Sequence, residues 1–384
     1  MLKKVYIHNY KCFVNFEMRF DNINLLLGKN GSGKSTLFEV LFNLQQLICD
    51  DKKRVDEIFS SADLPRIGYT SEPIQKFELE VEGNGGLYSY VLELKHDPGR
   101  DKVLIWAESL TWNKQPLYKF EPENSEAKKN IKDIGGVLQL YNDEHREDTK
   151  LFFNRYCSNL ANVSEKFTKL TWFKQRMERF FIVQINPFAM VTWFSREETH
   201  SNWNLSNYAA WFAHLNNEDR IVVSELEKEL AEIFEGFRAF NLPRSGDQRL
   251  LNLVFKFAAA DKKTVTYRFS EISVGQKVLI ALYTLLYCLP ETDYTLCIDE
   301  PENFLALPEI QPWLNLFYQR CEEQGGQGIL ISHHPQLINY LASEKGIWFS
   351  RDNQVIRVEK ITQQADETGL SVAELIARGW IYDQ

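Results

Sequence analysis

The sequence predicts an α/β fold in which a phosphate-binding core is split around a long middle segment. Three observations predict it. Residues 23–27 form a continuous apolar run that ends at Gly28, opens into a glycine-rich loop and leads into helical apolar spacing over 35–49. Residues 294–298 form a second apolar run, ending in two carboxylates, Asp299 and Glu300. Between them, residues 76–82, 87–95 and 103–112 alternate as strands do, with Gly83-Asn84-Gly85-Gly86 as the first hairpin turn.

Taken in order, residues 3–10 alternate and are β-branched or aromatic, which predicts an opening strand. The run 23–27 suits a strand buried on both faces. Leu37, Val40, Leu41, Leu44, Leu47 and Ile48 give the next helix its apolar stripe. Residues 50–61 read as a surface connection before the β-meander. The polar stretch 121–132 reads as loop or short helix, and 151–179 is helical in composition. Residues 180–185 form a short strand stopped before Pro187. Residues 207–215 and 222–237 predict amphipathic helices, the second with Leu226, Leu230, Ile233 and Phe234 on one face. Paired strands at 250–257 and 264–269 precede an apolar helix at 276–288. A buried strand (294–298), a helix (307–320), a strand (327–332), a last strand (353–361) and a last helix (371–378) complete the chain.

The 384 residues carry 44 basic and 53 acidic side chains, a net charge of −9. With 44% hydrophobic residues, the composition excludes a disordered, collagenous or disulfide-scaffold chain. The acidic balance excludes a surface that grips nucleic acid all over, because each phosphate contact calls for Lys or Arg. The six cysteines form no CxxC pair, so they read as free thiols rather than metal ligands. The N-terminus lacks a signal-peptide core, and the longest apolar run, 278–289, falls short of the ~20 residues that span a bilayer. A soluble, cytoplasmic protein with no membrane partner is expected.

Gly28-Lys29-Asn30-Gly31-Ser32-Gly33-Lys34-Ser35 fits GxxxxGK[ST], with a buried strand before it and a helix after it. The glycines let backbone N–H groups face phosphate oxygens, and the helix N-terminus adds its positive end. Gly28, Asn30, Gly31, Ser32, Gly33, Lys34, Ser35 and Thr36 are therefore the candidate nucleotide contacts. Lys34 is suited to the β- and γ-phosphates, and the Ser35 hydroxyl to Mg²⁺. Carboxylates at a strand end sit where α/β ligands bind. Asp299 is suited to hold Mg²⁺, and Glu300 to orient and deprotonate an attacking water. The strand at 327–332 ends at His333-His334-Pro335. A histidine there can bond a γ-phosphate or the lytic water. His333 is the first choice and His334 the second; a surface pair capping a turn is the plain alternative.

Ile272-Ser273-Val274-Gly275-Gln276 opens the apolar helix. Ser273 and Gly275 make an anion site at its N-terminus, or Ser273 serves as an ordinary N-cap. Ser273 precedes Glu300 by 27 residues, enough for one helix, a turn and a strand. This segment resembles the LSGGQ signature of ABC-type ATPases, with Val274 in place of the first glycine. Phosphate loop, signature, Asp299-Glu300-Pro301 and Ser332-His333-His334-Pro335 follow that family's order. The opening Ile7-His8-Asn9-Tyr10-Lys11-Cys12-Phe13 is similar to the start of the SMC/RecF-like branch. The middle of the chain resembles, less specifically, the OLD- and PtuA-like AAA ATPases of bacterial anti-phage defence.

The resemblance covers about residues 1–48 and 265–350. It implies an ABC-type P-loop ATPase head with an antiparallel β-subdomain, a mixed central sheet and a helical, aromatic-rich insertion. The expected divisions are 1–112, 113–206 and 207–384. It also implies ATP and Mg²⁺ as cofactors, Lys11 near the nucleotide, and Ser273, Gly275 and Gln276 acting on a partner head's γ-phosphate. Such heads engage as ATP-sandwich dimers and act as switches for an attached effector. The family's metal-facing glutamine falls on Gln184 or, nearly as well, on Asn186 in this position's neighbourhood. Residues 303–307 depart from the family's usual SALD. OLD-type proteins carry a C-terminal TOPRIM domain, for which about 50 residues after His333 leave no room, so a separate effector, a nuclease, is expected. Residues 165–179 hold five basic and two acidic side chains with Trp172 and Phe173 interleaved, a local nucleic-acid patch or simply a solvated helix face. Trp193, Trp203 and Trp211 form either an interface cluster or core. A RecF-like DNA-repair clamp and a transporter nucleotide-binding subunit are the alternative readings.

Overall fold

The computed structural model describes residues 1–65, 74–97, 99, 102–122, 135–257, 264–352, 355–361 and 370–378. Strands of the first half are β1 (Leu2–His8), β2 (Phe16–Arg19), β3 (Ile23–Gly28), β4 (Ile74–Gly83), β5 (Gly86–Asp97), β6 (Lys102–Trp112), β7 (Gln115–Pro122), β8 (Gly135–Tyr141) and β9 (Glu147–Asn154). Then come β10 (Phe180–Val183), β11 (Trp193–Phe194), β12 (Phe237–Asn241), β13 (Arg244–Ser245), β14 (Gln248–Leu250), β15 (Asn252–Lys256), β16 (Thr264–Arg268), β17 (Thr295–Asp299), β18 (Gln327–Ile331), β19 (Gly346–Asp352) and β20 (Val355–Lys360). The helices are α1 (Lys34–Cys49), α2 (Val55–Ile58), α3 (Thr168–Glu178), α4 (Tyr208–Glu218), α5 (Arg220–Ile233), α6 (Val274–Tyr287), α7 (Leu307–Glu323), α8 (Pro335–Lys345) and α9 (Val372–Ala377).

The chain divides into two compact units. One comprises Met1–Phe180, Asp293–Thr295 and Glu344–Gln363; the other comprises Phe181–Thr292, Leu296–Ser343 and Gln364–Gln384.

In the first unit an antiparallel sheet runs in the order β2-β1-β4-β5-β6-β7-β8-β9. Its strands alternate because one row is buried: Phe77, Leu79 and Val81 on β4 and Tyr88, Tyr90, Leu92 and Leu94 on β5 are all 0% exposed. β3 is buried along its whole length and pairs in parallel with β19, Gly28 opposite Phe349. β20 pairs antiparallel with β19, so this sheet is mixed. α1 packs beside α3, where Gln45 Nε2 donates to the carbonyls of Met177 (3.2 Å) and Phe180 (2.6 Å).

The stretch 113–206, expected to be a helical insertion, instead extends the sheet by β7, β8 and β9 before any helix appears. Residues 151–179 are α-helical only at Thr168–Glu178, with one 3-10 turn at Asn159–Asn162; Leu151 pairs with Leu138 of β8. A strand is made by its neighbour, and composition does not record the neighbour. The polar stretch 121–132, apart from the end of β7, lies outside the described residues.

In the second unit the strand order is β10-β17-β18, with two smaller sheets, β12-β15-β16 and β11-β14-β13. α6 is apolar nearly all round, and Val278 to Leu286 are all buried, as a core helix requires. Trp313 Nε1 of α7 donates to the Leu282 carbonyl of α6 at 3.0 Å. α5 stops at Ile233 rather than at 237, because Gly236 takes φ +82 and Phe237 begins β12. Trp211 is 1% exposed and belongs to the core, Trp203 is half-buried and Trp193 is 51% exposed. All six cysteines are free. Among the described residues no helix is long and apolar enough to cross a membrane.

Candidate nucleotide site

In the first unit, β3 delivers the chain into the loop at Gly28. Gly28 has φ +141, and a Cβ there would collide with the Phe349 carbonyl oxygen of β19. Gly33 (φ +100) caps α1 without a side-chain bond, so the first-turn N–H groups of α1 take no bond from the cap. The Phe13 ring and Cys12 Sγ approach Gly33 so closely that a Cβ would meet them at 3.1 and 3.2 Å. The opening segment 7–13 is thereby brought against the loop. Lys34 is 6% exposed, and its Nζ donates to the carbonyls of Gly28 (2.6 Å) and Lys29 (3.1 Å) and to Ser32 Oγ (3.5 Å). A positive charge is thus held within the loop, while Asn30, Gly31 and Ser35 are exposed and Thr36 is half-buried. Lys11 (φ +49) pairs with Glu39 of α1 and lies 3.7 Å from Asp63 Oδ1.

In the second unit, β17 carries Asp299 at 3% exposure. Gln184 Nε2 donates to Asp299 Oδ2 at 3.4 Å. Gln184 is itself held by Trp203, whose carbonyl accepts the Gln184 N–H (2.8 Å) and whose Nε1 donates to Oε1 (3.4 Å). Asn186 spends its side-chain oxygen on the Phe188 N–H, so of the two expected glutamine-loop positions only Gln184 reaches Asp299.

Glu300 has φ +53, and its N–H donates to the Ile331 carbonyl at the end of β18 (2.8 Å). Asn303 Nδ2 donates to Glu300 Oε2 at 2.6 Å. His333 is exposed, whereas His334 is half-buried and its Nδ1 accepts the Gln336 N–H of α8 (3.2 Å). The turn-capping reading thus fits His334.

Glu302, which the sequence reading did not single out, ties these loops together. Its Oε1 accepts from Ser332 Oγ (2.6 Å) and from the His333 N–H (3.3 Å). Burial, with a smaller push from the Glu300 charge, raises its pKa. Its only signal in the sequence was a third acid after Asp299 and Glu300; the partner lies 30 residues away.

Ser273 is the N-cap of α6, accepting the Gln276 N–H (3.1 Å), while Gln276 Oε1 accepts the Ser273 N–H (3.0 Å). Gly275 lets the Phe304 carbonyl approach, since a Cβ would stand 3.0 Å from it. The signature-like segment and residues 303–307 are therefore neighbours.

Mg²⁺ takes oxygen donors, typically one or two carboxylates plus substrate phosphates rather than an all-protein cage, and each unit offers one donor of that class. Ser35 offers a hydroxyl and Asp299 a carboxylate, and no three His, Cys, Asp or Glu side chains among the described residues converge as a complete metal site.

Residues 23–339 match the family described as "AAA domain, putative AbiEii toxin, Type IV TA system". The chain belongs to this AAA family. The AAA protein also matches the structure described as "Crystal structure of the SmcHead bound to the C-winged helix domain of ScpA", at TM-score 0.52 and 13% identity, over 95% of this chain and 99% of that one. A second match, described as "SMC head domain from Thermotoga maritima", has TM-score 0.46 and 15% identity over 94% and 98%. The first of these shows that the AAA protein has the fold of an SMC head, the ABC-type P-loop fold. No curated protein matches the sequence significantly.

Most cations of the basic stretch 165–179 are engaged within the fold, while the Lys166 and Arg179 side chains stay 58% and 44% exposed. Lys166 pairs with Asp148 (2.7 Å), Lys169 donates to the Asp143 carbonyl (2.9 Å) and Lys174 to the Ala161 carbonyl (2.7 Å). Arg176 is 1% exposed and faces Asp293 and Thr295. Trp172 stacks on Tyr88 at 4.8 Å, and Phe173 is fully buried.

Proposed function

We propose that the protein is an ATP-binding and ATP-hydrolysing switch that dimerises on ATP and controls a separate effector, a nuclease in anti-phage defence. The observation that carries the ATP reading is the phosphate loop: left-handed glycines, an α1 N-terminus without a side-chain cap, and the Lys34 ammonium held within it. In this reading the amides from Asn30 to Thr36 and Lys34 bind phosphate. Ser35 and Asp299, with Gln184, attend the Mg²⁺, which supplies charge neutralisation on the phosphates. Glu300 accepts the proton of the attacking water, and His333 bonds the γ-phosphate or that water. Ser273, Gly275 and Gln276 act on the nucleotide of a second copy, and Lys11 supports the loop from the α1 side. The defence role and the effector rest on the resemblance of the middle segment to defence ATPases. The engaged cations of residues 165–179 do not favour a DNA clamp.

Two variants test the proposal. Lys34→Ala is expected to abolish ATP binding in a fluorescent-nucleotide titration. Glu300→Gln is expected to bind ATP, lose roughly 10²–10⁴-fold in turnover as removal of a general base does, and accumulate as a dimer in size-exclusion chromatography with ATP. Hydrolysis by Glu300→Gln at the wild-type rate would remove Glu300 from the role of base.

A further inference from the structure

The second unit contains a cavity of ≈ 430 Å³, of whose lining the ATP reading uses only Ser273 and Gln276. That volume falls within the range of ligand clefts, about 300–1,000 Å³. Its walls are aromatic. Phe255 of β15 and Phe257 just beyond it lie nearly parallel, centroids 5.8 Å apart at 10°, and Tyr267 of β16 stands across Phe255 at 5.6 Å and 79°. Its rim is acidic and open: Glu235, Tyr267, Glu271 and Ser273 are all exposed. α5 ends at Ile233 on the same wall, so the negative end of a 14-residue helix adds to the field of the two carboxylates. Among the described residues no lysine, arginine or histidine lines it. The N-terminus of α6 also reaches the cavity. There Ser273 Oγ and Gln276 Oε1 occupy two of the N–H groups.

Aromatic faces with carboxylates at the mouth are the surroundings an organic cation prefers. We propose that this cavity is a docking pocket for a basic side chain of a partner protein, arginine before lysine, because a planar guanidinium can lie against the rings and pair with a carboxylate together. A protein partner, rather than a free small cation, fits the open rim, and the protein's net charge of −9 attracts a basic surface. The assignment does not depend on ATP hydrolysis.

The test is ligand-observed NMR on the full chain, with a capped Gly-Arg-Gly peptide, the same peptide with citrulline in place of arginine, and spermidine. The arginine peptide is expected to bind, the citrulline peptide roughly tenfold more weakly, because its shape is kept and its charge is lost. Spermidine is expected to bind more weakly than the arginine peptide. Tyr267→Ala should weaken the arginine peptide by about three- to tenfold, and Glu235→Gln by about threefold, as for an exposed pair. Both positions are exposed, so the variants should fold, and a circular dichroism melt checks that they do. No binding of the arginine peptide, equal binding of the citrulline peptide, or indifference to both variants overturns the assignment. Spermidine binding as tightly as the peptide overturns the protein-partner part of it.

Discussion

At the scale of single residues, the site depends on backbone conformations that ordinary side chains avoid. Glu300 and Phe304 are left-handed at φ +53 and +71, which costs of order 1–3 kcal/mol each unless the surroundings hold them. Glu302 is one of those holds, since it anchors Ser332 and the His333 backbone to the segment that bears Glu300. Glu302→Ala is therefore expected to lower ATP turnover by roughly ten- to a hundredfold while leaving nucleotide affinity within about twofold, since misplacing a reacting group costs rate before binding. Glu302→Gln, which can still accept the Ser332 hydroxyl, should restore much of the loss. Steady-state kinetics with a nucleotide titration separates the two; an equal fall in affinity would make Glu302 a residue of the fold only. The motif residues were legible because each is defined by its immediate neighbours in the chain. Glu302 was not, because its partner is brought to it by β17 and β18 lying side by side.

At the scale of elements, the meander was legible where alternation is strong and was lost where it is weak. β4, β5 and β6 announce themselves through buried alternate residues, whereas Leu151 of β9 is 42% exposed and leaves no such record. α3 was read from its charges, yet those charges fasten the helix to its neighbours, which spacing alone could not distinguish from a solvated face. Within the sheet, Glu108 of β6 is 1% exposed and accepts hydroxyls from Tyr90 of β5 (2.8 Å), Tyr118 of β7 (2.6 Å) and Ser158 (2.7 Å). Burial raises its pKa, and the three hydroxyls only partly offset this. Its contribution to stability is complete below the unfolded value, about 4.3, and is lost as pH rises through the raised folded value. Thermal melts of wild type and Glu108→Gln should therefore differ more in favour of wild type at pH 5 than at pH 8. A gap that stays constant, or that widens with pH, would contradict the assignment.

At the scale of the whole molecule, each compact unit is assembled from separated stretches of chain. Residues 1–180 hold β3 and the phosphate loop, yet β19, the strand that pairs with β3 within the same unit, lies at Gly346–Asp352. A fragment of residues 1–180 is expected to lack a stable loop and to bind no nucleotide, despite carrying every residue of the GxxxxGK[ST] motif. Full-length chain should melt cooperatively, and the fragment should show no cooperative transition by calorimetry. A fragment that melts cooperatively and binds ATP would show that β19 is dispensable. The sequence order of the motifs was readable, but this interleaving was not, because β19 was recognised only through its pairing.

The close seating of Gly28 against Phe349 also has a consequence in time. Phe349 follows Gly28 by 321 residues, and at a synthesis rate of roughly 5–20 residues per second the loop waits about 15 to 60 s for its backing strand. Throughout that interval the growing polypeptide carries the motif without the surface that shapes it. The loop can therefore take its final shape only after Phe349 has been made.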